Sequence, residues 1–212
     1  MKYNPDIHHR RSIRLKGHDY SQAGAYFLTV CARRRECLFG EITDGNMALN
    51  KAGEIVADEW VKSGEIRDEI ELDEWVVMPN HIHGIIMING PGRGDRPVAP
   101  KSTFAPAIPV APAIPVLPKS PVIPATPGPR PKSIGALLAG FKSAAAKRVN
   151  QIRNTPGKLW QRNYYEHIIR NENELNRIRR YIINNPKNWN LDRENPDAHA
   201  THEPSVSYDA AP

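Results

Sequence analysis

The chain has 212 residues, enough for one main domain with a sizeable core, and 40% of them are hydrophobic. It contains no apolar run of about 18 residues and no apolar region of the secretory type near its start, so neither a membrane span nor a signal segment is expected. Cys31 and Cys37 have the wrong number and spacing for a zinc knuckle, which favours two free thiols in a reducing cytoplasm. The formal charge of +6 favours an anionic partner, and nucleic acid is the commonest one.

The first part of the chain reads as a basic arm followed by alternating strand and helix patterns. Residues 1–20 lack periodicity and are interpreted either as a flexible tail or as an arm that contacts phosphates. Apolar spacing predicts a helix from Asn50, an N-cap, to about Ser63. Strands are predicted over residues 25–32, 69–77 and 81–88, with a loop or short strand over 38–42. Only Pro79-Asn80 separates the last two strands, which should lie antiparallel or form one bent ribbon.

Residues 91–132 differ in composition from the rest of the chain. Prolines recur every third residue from Pro97 to Pro127, with only Thr103 interrupting. A polyproline II helix has three residues per turn, so these prolines would line one edge of an extended rod. Such a segment cannot form a packed core, and we interpret it as a spacer inserted between two core elements.

The second half returns to helix and strand patterns. Ser133 is expected to cap a helix that carries a basic exposed face. That face consists of Lys142, Lys147, Arg148 and Arg153. A strand is predicted over residues 159–169, and Asn171 with Glu174 resembles a capping box that opens a last helix. Pro186 should end that helix after Asn185. Residues 191–212 are polar and are predicted to be a disordered tail.

The predicted order of elements defines a fold class. A βαββαβ core predicts an α+β protein with a ferredoxin-like antiparallel sheet and helices on one face. The last helix is an addition to that core. Residues 1–90 and 133–190 would then be two parts of one domain, joined by the Pro-rich linker.

A pair of histidines is the first candidate for chemistry. Residues at i and i+2 of a strand point to the same face, so His81 and His83 should stand side by side, with Ile82 and Gly84 on the other face. Two neighbouring imidazoles form half of a divalent metal site. From spacing alone, a structural pair of histidines in a polar patch is the alternative.

The last helix offers candidates for the rest of the metal site and for a nucleophile. Leu175, Ile178 and Ile182 should pack inward, whereas Arg177, Tyr181 and Asn185 form a neighbouring stripe. A phenolate at Tyr181 could attack a phosphodiester, and the carbonyl oxygen of Asn185 suits a hard cation. Other candidates are Tyr164 and Tyr165 as nucleophiles, which lack an asparagine one turn later, and His167 as a ligand.

Three motifs together resemble a known family. They are Trp-Val-Val-Met-Pro-Asn-His-Ile-His at residues 75–83, Trp-Gln-Arg at 160–162 and Tyr-Ile-Ile-Asn-Asn-Pro at 181–186. The first is similar to the His-hydrophobic-His motif of single-tyrosine HUH transposases, and the set most resembles the REP-associated tyrosine transposases. The resemblance covers about residues 10–90 and 133–190. The Pro-rich insertion departs from the compact family pattern.

The resemblance implies a ferredoxin-like enzyme that cuts single-stranded DNA, often beside a hairpin. Tyr181 matches the nucleophile, which stays linked to the new 5′ end, and the metal ligands match His81, His83 and Asn185, with Mg²⁺ or Mn²⁺ as the ion. Family members often act as dimers, so a homodimer is implied, with Tyr181 acting either in its own subunit or in its partner.

Basic and aromatic residues supply the expected DNA contacts, through phosphate neutralisation and base stacking. They are Arg10, Arg11, Arg14, Arg33, Arg34, Arg162, Tyr165, Arg177 and Arg180. Trp160 is a stacking candidate too, with core packing as its alternative role. Two other functions remain open at this point: a non-catalytic hairpin-binding protein descended from such a transposase, and a metal-dependent phosphohydrolase in which water attacks.

Overall fold

A computed structural model describes residues 22–89, 129, 131–154 and 156–198 of the chain. The basic arm, with Arg10, Arg11 and Arg14, lies outside the described residues, as does nearly all of the Pro-rich insertion. Residues 191–198, which the sequence assigned to a tail, are described and contribute buried side chains.

The described chain folds into six strands and three α-helices. The strands are β1 (Gly24–Cys31), β2 (Gly40–Thr43), β3 (Asn46–Leu49), β4 (Ile70–Met78), β5 (His81–Ile88) and β6 (Tyr165–Ile169). The helices are α1 (Lys51–Glu65), α2 (Ile134–Arg153) and α3 (Glu172–Asn184). Short 3-10 turns at Arg33–Arg35 and Pro186–Leu191 follow β1 and α3.

The sheet has the predicted ferredoxin-like order. Four strands lie side by side as β4-β5-β1-β6, and every neighbouring pair is antiparallel. The connections β1-α1-β4 and β5-α2-β6 form the βαββαβ core, which confirms the α+β class. β2 and β3 pair with each other in a separate hairpin between β1 and α1.

Helices cover the two faces of this sheet unequally. Apolar residues of α1 and α2 form the larger core with one face, around the fully buried Trp60 and Phe141. α3 covers the opposite face, where Leu175, Ile178 and Ile182 pack on Phe27 and Ile85. The three α3 residues that the sequence predicted to face inward are therefore buried, and the added helix lies against the face that carries the histidines.

The predicted helix starts are confirmed by their capping hydrogen bonds. The side chain of Asn50 accepts from the N–H groups of Ala52 and Gly53, and Ser133 accepts from Ala136. Asn171 accepts from the N–H of Glu174, whose carboxylate accepts from the N–H of Arg170. These bonds satisfy N–H groups that the first turn of a helix leaves without partners.

Two expectations for the second half need correction. The strand predicted over residues 159–169 is shorter, because Trp160 forms only an isolated bridge with Ala32 and the ladder begins at Tyr165. The basic face of α2 is not uniformly exposed, since Arg148 pairs with Asp58 and Glu59 of α1. Lys142 is half-buried and donates to the carbonyl oxygen of Gln161. These charges join elements instead of meeting solvent.

Gly84 lets α1 approach the sheet directly behind the histidines. A Cβ added there would lie 2.5 Å from Cζ2 of Trp60. Because the indole is fully buried and cannot move aside, Gly84→Ala should lower the free energy of unfolding by about 1–3 kcal/mol. Urea denaturation measures this change. Gly157→Ala is the matched control, since nothing lies within 4 Å of its added Cβ, and equal stabilities of the two variants would contradict the prediction.

Two smaller findings concern thiols and membranes. Cys31 and Cys37 are both free thiols, as the sequence predicted. Among the described residues, no helix combines the length and apolar character that a membrane span requires.

Candidate metal centre and tyrosine

His81 and His83 lie side by side on the α3 face of β5, as the period of two predicts. Their ring centroids are 4.3 Å apart, and both side chains are buried. On β1, the partner of His81 is Cys31 and the partner of His83 is Thr29. Both histidines therefore lie on an inner strand, flanked by β1 and β4.

Asn80 determines which nitrogen of His81 carries the proton. Its Nδ2 lies 3.0 Å from the carbonyl oxygen of Arg35 and 2.7 Å from that of Glu194, so this atom must be the donor end of the amide. Its Oδ1 then accepts from Nδ1 of His81 at 2.8 Å. The lone pair of His81 is left on Nε2, which is the arrangement that metal-binding imidazoles use.

His83 connects the sheet to the tyrosine. Its Nδ1 lies 2.9 Å from Oγ1 of Thr29, and its Nε2 lies 3.2 Å from the hydroxyl of Tyr181. Tyr181 belongs to α3 and also packs edge-on against Phe27, with ring centroids 6.0 Å apart. The tyrosine and the histidine pair thus meet within one chain.

A third ligand candidate comes from a residue that the sequence did not single out. After α3, the turn at Pro186–Leu191 brings the chain back across the sheet and places Asp192 beside the histidines. Its Oδ2 lies 3.9 Å from Nε2 of His81 and 4.0 Å from Nε2 of His83. The side chain is almost completely buried. The segment has no periodic pattern from which the sequence could have predicted this return.

Asn185, the predicted third ligand, lies next to Asp192. Its Nδ2 donates to Oδ2 of Asp192 at 2.9 Å, so one role of Asn185 is to orient that carboxylate. Its Oδ1 is buried and has no hydrogen-bond partner in the described part of the chain. The amide therefore supports Asp192 with one end and keeps an acceptor available at the other.

The donor set fits a divalent cation. Among the described residues, His81, His83 and Asp192 form a group whose ligand atoms lie within 4.8 Å of one another. Nε2 of His81, like Oδ1 of Asn185, is buried without a partner in those residues. Buried polar atoms normally find a partner, so two such acceptors beside an anionic carboxylate fit the donor set of a divalent cation.

The charges of the site agree with this interpretation. Burial, and then the neighbouring His83, lower the pKa of His81 well below its ordinary value, so the ring is neutral. Burial raises the pKa of Asp192, but nearby imidazoles and hydrogen bonds outweigh it and hold the pKa well below its ordinary value. Burial raises the pKa of Tyr181 to about 12, and the charge of Asp192 contributes. At neutral pH the site therefore combines a carboxylate, neutral imidazole and a phenol.

The position of α3 depends on an ion pair at the edge of the sheet. The guanidinium of Arg179 binds both oxygens of Asp73, through Nε at 2.8 Å and Nη2 at 2.5 Å. Asp73 lies where the register of β4 and β5 shifts. Because Arg179 is two residues before Tyr181, this two-pronged contact orients the helix that carries the tyrosine.

The other residues that the sequence predicted to bind DNA or metal lie outside the His81, His83 and Asp192 group. The described arginines of the DNA-binding set are exposed: Arg33, Arg34, Arg162, Arg177 and Arg180. Tyr165 is 39% exposed and contacts Phe27 edge-on, next to Tyr181. Trp160 is buried between Phe39 and Phe141, so it is a core residue. His167 pairs with Glu174 at 2.8 Å and does not join the metal centre.

Asn80 offers a direct test of the histidine geometry. Asn80→Leu removes the acceptor for Nδ1 of His81, so we expect the affinity for Mn²⁺ to fall about 10- to 100-fold. Asn80→Asp keeps an acceptor and should retain more of that affinity, although it loses both amide donors. Isothermal titration calorimetry measures the two constants. If the two variants, shown by thermal unfolding to be folded, bind Mn²⁺ equally, the role assigned to Asn80 is wrong.

The fold and the site together define a ferredoxin-like α+β protein with a candidate His-His-Asp metal centre and an adjacent tyrosine. No protein-family model matches the chain. The chain belongs to the same family as an uncharacterized protein of Haemophilus influenzae (strain ATCC 51907 / DSM 11121 / KW20 / Rd), to which it is 37% identical over 197 residues. That alignment covers 91% of this chain and 96% of the relative.

Two solved structures are similar in part. A REP-associated tyrosine transposase bound to a REP hairpin matches with a TM-score of 0.48 and 19% identity, covering 82% of this chain and 73% of that chain. A transposase structure from Deinococcus radiodurans R1, described as putative, matches with a TM-score of 0.36 and 18% identity, covering 81% of this chain and 97% of that chain. Scores this low do not assign an activity or a ligand to this chain.

Proposed function

We propose that the chain is a metal-dependent single-stranded DNA nicking and strand-transfer enzyme of the REP-associated tyrosine transposase type, which acts beside DNA hairpins. One observation carries the proposal: the hydroxyl of Tyr181 lies 3.2 Å from Nε2 of His83, at the edge of the buried His81, His83 and Asp192 group. A nucleophile and a candidate metal centre are in contact within one chain. The first and last of the three sequence motifs that resemble this family contain His81, His83 and Tyr181, whereas Asp192 lies outside all three.

His81, His83 and Asp192 would hold the ion, with Asn185 placing Asp192 and offering its own Oδ1. A bound Mg²⁺ or Mn²⁺ supplies Lewis-acid polarisation of a phosphodiester. The buried donors favour a desolvated ion, and the exposed side of Tyr181, 45% accessible, leaves room for a DNA strand. The oxygens of Asp192 and Asn185 are ligands of the type that suits both Mg²⁺ and Mn²⁺.

The reaction proposed for Tyr181 is a transesterification. The bond between its phenolic oxygen and phosphorus forms as the bond from phosphorus to the 3′ oxygen breaks. The phenol gives up one proton and the released 3′ hydroxyl takes up one, so no water is consumed. The product is a 5′-phosphotyrosine, which keeps the energy of the ester for rejoining to another 3′ hydroxyl.

Cations near the tyrosine would neutralise the strand that carries the scissile phosphate. Arg177 and Arg180 are exposed on α3, within about one turn of Tyr181, and Arg177 lies 3.7 Å from the carboxylate of Glu174. Tyr165, which like Tyr181 contacts Phe27 edge-on, presents an aromatic surface for an unpaired base. Arg162 adds a charge in the loop before β6.

The proposal is tested with a hairpin oligonucleotide that has single-stranded flanks and a label at its 3′ end. Incubation with the protein and Mn²⁺ should give a labelled protein–DNA adduct that resists denaturation. The reason is that Tyr181 becomes covalently linked to the 5′ end of the downstream fragment, which carries the 3′ label. A label at the 5′ end should stay on free DNA. Cleavage without any adduct would instead indicate a hydrolase, and hairpin binding without cleavage in Mg²⁺ or Mn²⁺ would indicate a non-catalytic binding protein.

A further inference from the structure

A basic cleft lies beyond the end of β1, separate from the metal centre. It has a volume of about 180 Å³ and lies between the turn that follows β1 and the C-terminal end of α2. Its charged lining consists of Arg33, Arg34, Arg153, Lys158 and a single acid, Glu36. Four cations against one carboxylate make this a concave site for an anion such as a phosphate.

The backbone of the Arg33–Arg35 turn creates this distribution of charge. Arg34 and Arg35 both have φ of 57°, the left-handed conformation that residues other than glycine rarely adopt. As a result, Arg33 and Arg34 line the cleft, whereas Arg35 turns away and its Nε binds Glu194 at 2.9 Å. Strained backbone of this kind costs of order 1–3 kcal/mol and is concentrated at functional sites.

Hydrogen bonds connect the cleft to the loop of the metal centre. The N–H of Ala32 donates to the carbonyl oxygen of Asn80 at 2.7 Å, and the N–H of Arg33 donates to that of Leu159, in the cleft wall, at 2.8 Å. Cys31, two residues before Arg33, is the strand partner of His81. At about 3.3 Å per residue along a strand and about 5 Å between strands, the cleft begins roughly 10 Å from His81. A single strand covers that distance in a few nucleotides.

We infer that this cleft binds the sugar–phosphate backbone of single-stranded DNA next to the scissile phosphate. The inference rests on the proposed function for the identity of the strand, and it adds Arg153 and Lys158 to the contacts expected from the sequence. Phosphates passing Arg33 and Lys158 would hold the strand on the side of the sheet where β1 ends.

The first test compares two double variants that remove the same charge. Arg33→Gln with Lys158→Gln removes two cleft cations, and Lys51→Gln with Lys147→Gln removes two exposed cations on α1 and α2. Binding of a fluorescent single-stranded oligonucleotide is measured by anisotropy at several salt concentrations, without divalent metal. Each lost contact with a single strand should reduce the steepness of log affinity against log salt by about 0.7. For the cleft variant, which loses two contacts, the slope should therefore be about 1.4 less steep than that of the wild type. At moderate salt this variant should bind the oligonucleotide about 10-fold more weakly.

The control variant should keep the wild-type slope. Equal losses in both variants, or an unchanged slope in the cleft variant, would overturn the inference. A second measurement places neutral methylphosphonate linkages one at a time along the oligonucleotide. One or two positions should weaken binding by the wild type and not by the cleft variant, and the same response of both proteins at every position would also overturn it.

These measurements test the cleft separately from the proposed function. If the wild type forms no adduct with Mn²⁺ but the salt slopes differ, the cleft remains a strand-binding site and the nicking activity is wrong. If the adduct forms and the salt slopes of the cleft and control variants agree, the proposed nicking activity is supported and the cleft does not bind the strand.

Discussion

Replacing Tyr181 by phenylalanine is expected to reduce adduct formation with hairpin DNA by more than about 10³-fold, because the variant lacks the oxygen that bonds to phosphorus. The fold should be unaffected, since the ring still packs edge-on against Phe27 and only one hydroxyl is lost. DNA binding without metal should likewise remain near the wild-type level. Denaturing gel electrophoresis of the labelled DNA after incubation with Mn²⁺ measures the loss.

Tyr164 supplies the matched control for this experiment. Its side chain packs against the larger core, which α1 and α2 form on the sheet face opposite the histidines. Tyr164→Phe should form the adduct at the wild-type rate. An adduct that survives Tyr181→Phe and disappears in Tyr164→Phe would show that the wrong residue had been chosen as nucleophile.

The Asp192→Asn variant is expected to bind Mn²⁺ at least about 100-fold more weakly than the wild type. The substitution keeps the size of the side chain but removes the negative charge that faces two buried imidazoles. It also places an amide where Asn185 now donates to a carboxylate oxygen. Loss of a charged ligand should lower the metal affinity by more than the roughly 10- to 100-fold that is typical when a residue that only orients a ligand is replaced. Isothermal titration calorimetry gives the affinities.

Asp197→Asn is the control for Asp192. It removes the same charge from the same segment, but Asp197 is exposed. Its metal affinity should match that of the wild type. Were Asp192→Asn to bind Mn²⁺ as tightly as Asp197→Asn does, His81, His83 and Asn185 would have to suffice as protein ligands, which is the set that the sequence alone implied.

The residues with strong local patterns were predicted correctly from the sequence. His81 and His83 share a face because alternation along a strand follows from backbone geometry alone. Asn50, Ser133 and Asn171 cap helices for an equally local reason, since a side-chain oxygen reaches N–H groups within three residues. The βαββαβ order then left few ways to arrange four strands, and the observed order is the ferredoxin-like one.

The features that the sequence missed depend on contacts between distant segments. The sequence predicts Lys142 and Arg148 as part of an exposed basic face, because helical spacing does not show that α1 and the loop before β6 lie against them. The strand predicted over residues 159–169 was too long, because Trp160 forms only an isolated bridge with Ala32. Of the two roles expected for Trp160, base stacking and core packing, the contacts with Phe39 and Phe141 support core packing. Asp192 lies in a polar stretch without periodicity, so no local pattern marks it as part of the centre.

The amino-acid sequence by itself determined the histidine face, the helix that carries Tyr181 and the class of fold, because each follows from periodicity and capping within a few residues. Only the tertiary structure decided that α3 covers the histidine side of the sheet and that Tyr181 meets His83 of its own chain. It also decided that Asp192 closes the centre, with Asn185 holding its carboxylate. These contacts join residues far apart in sequence, and their geometry is set by how the helices and the returning chain pack on the sheet.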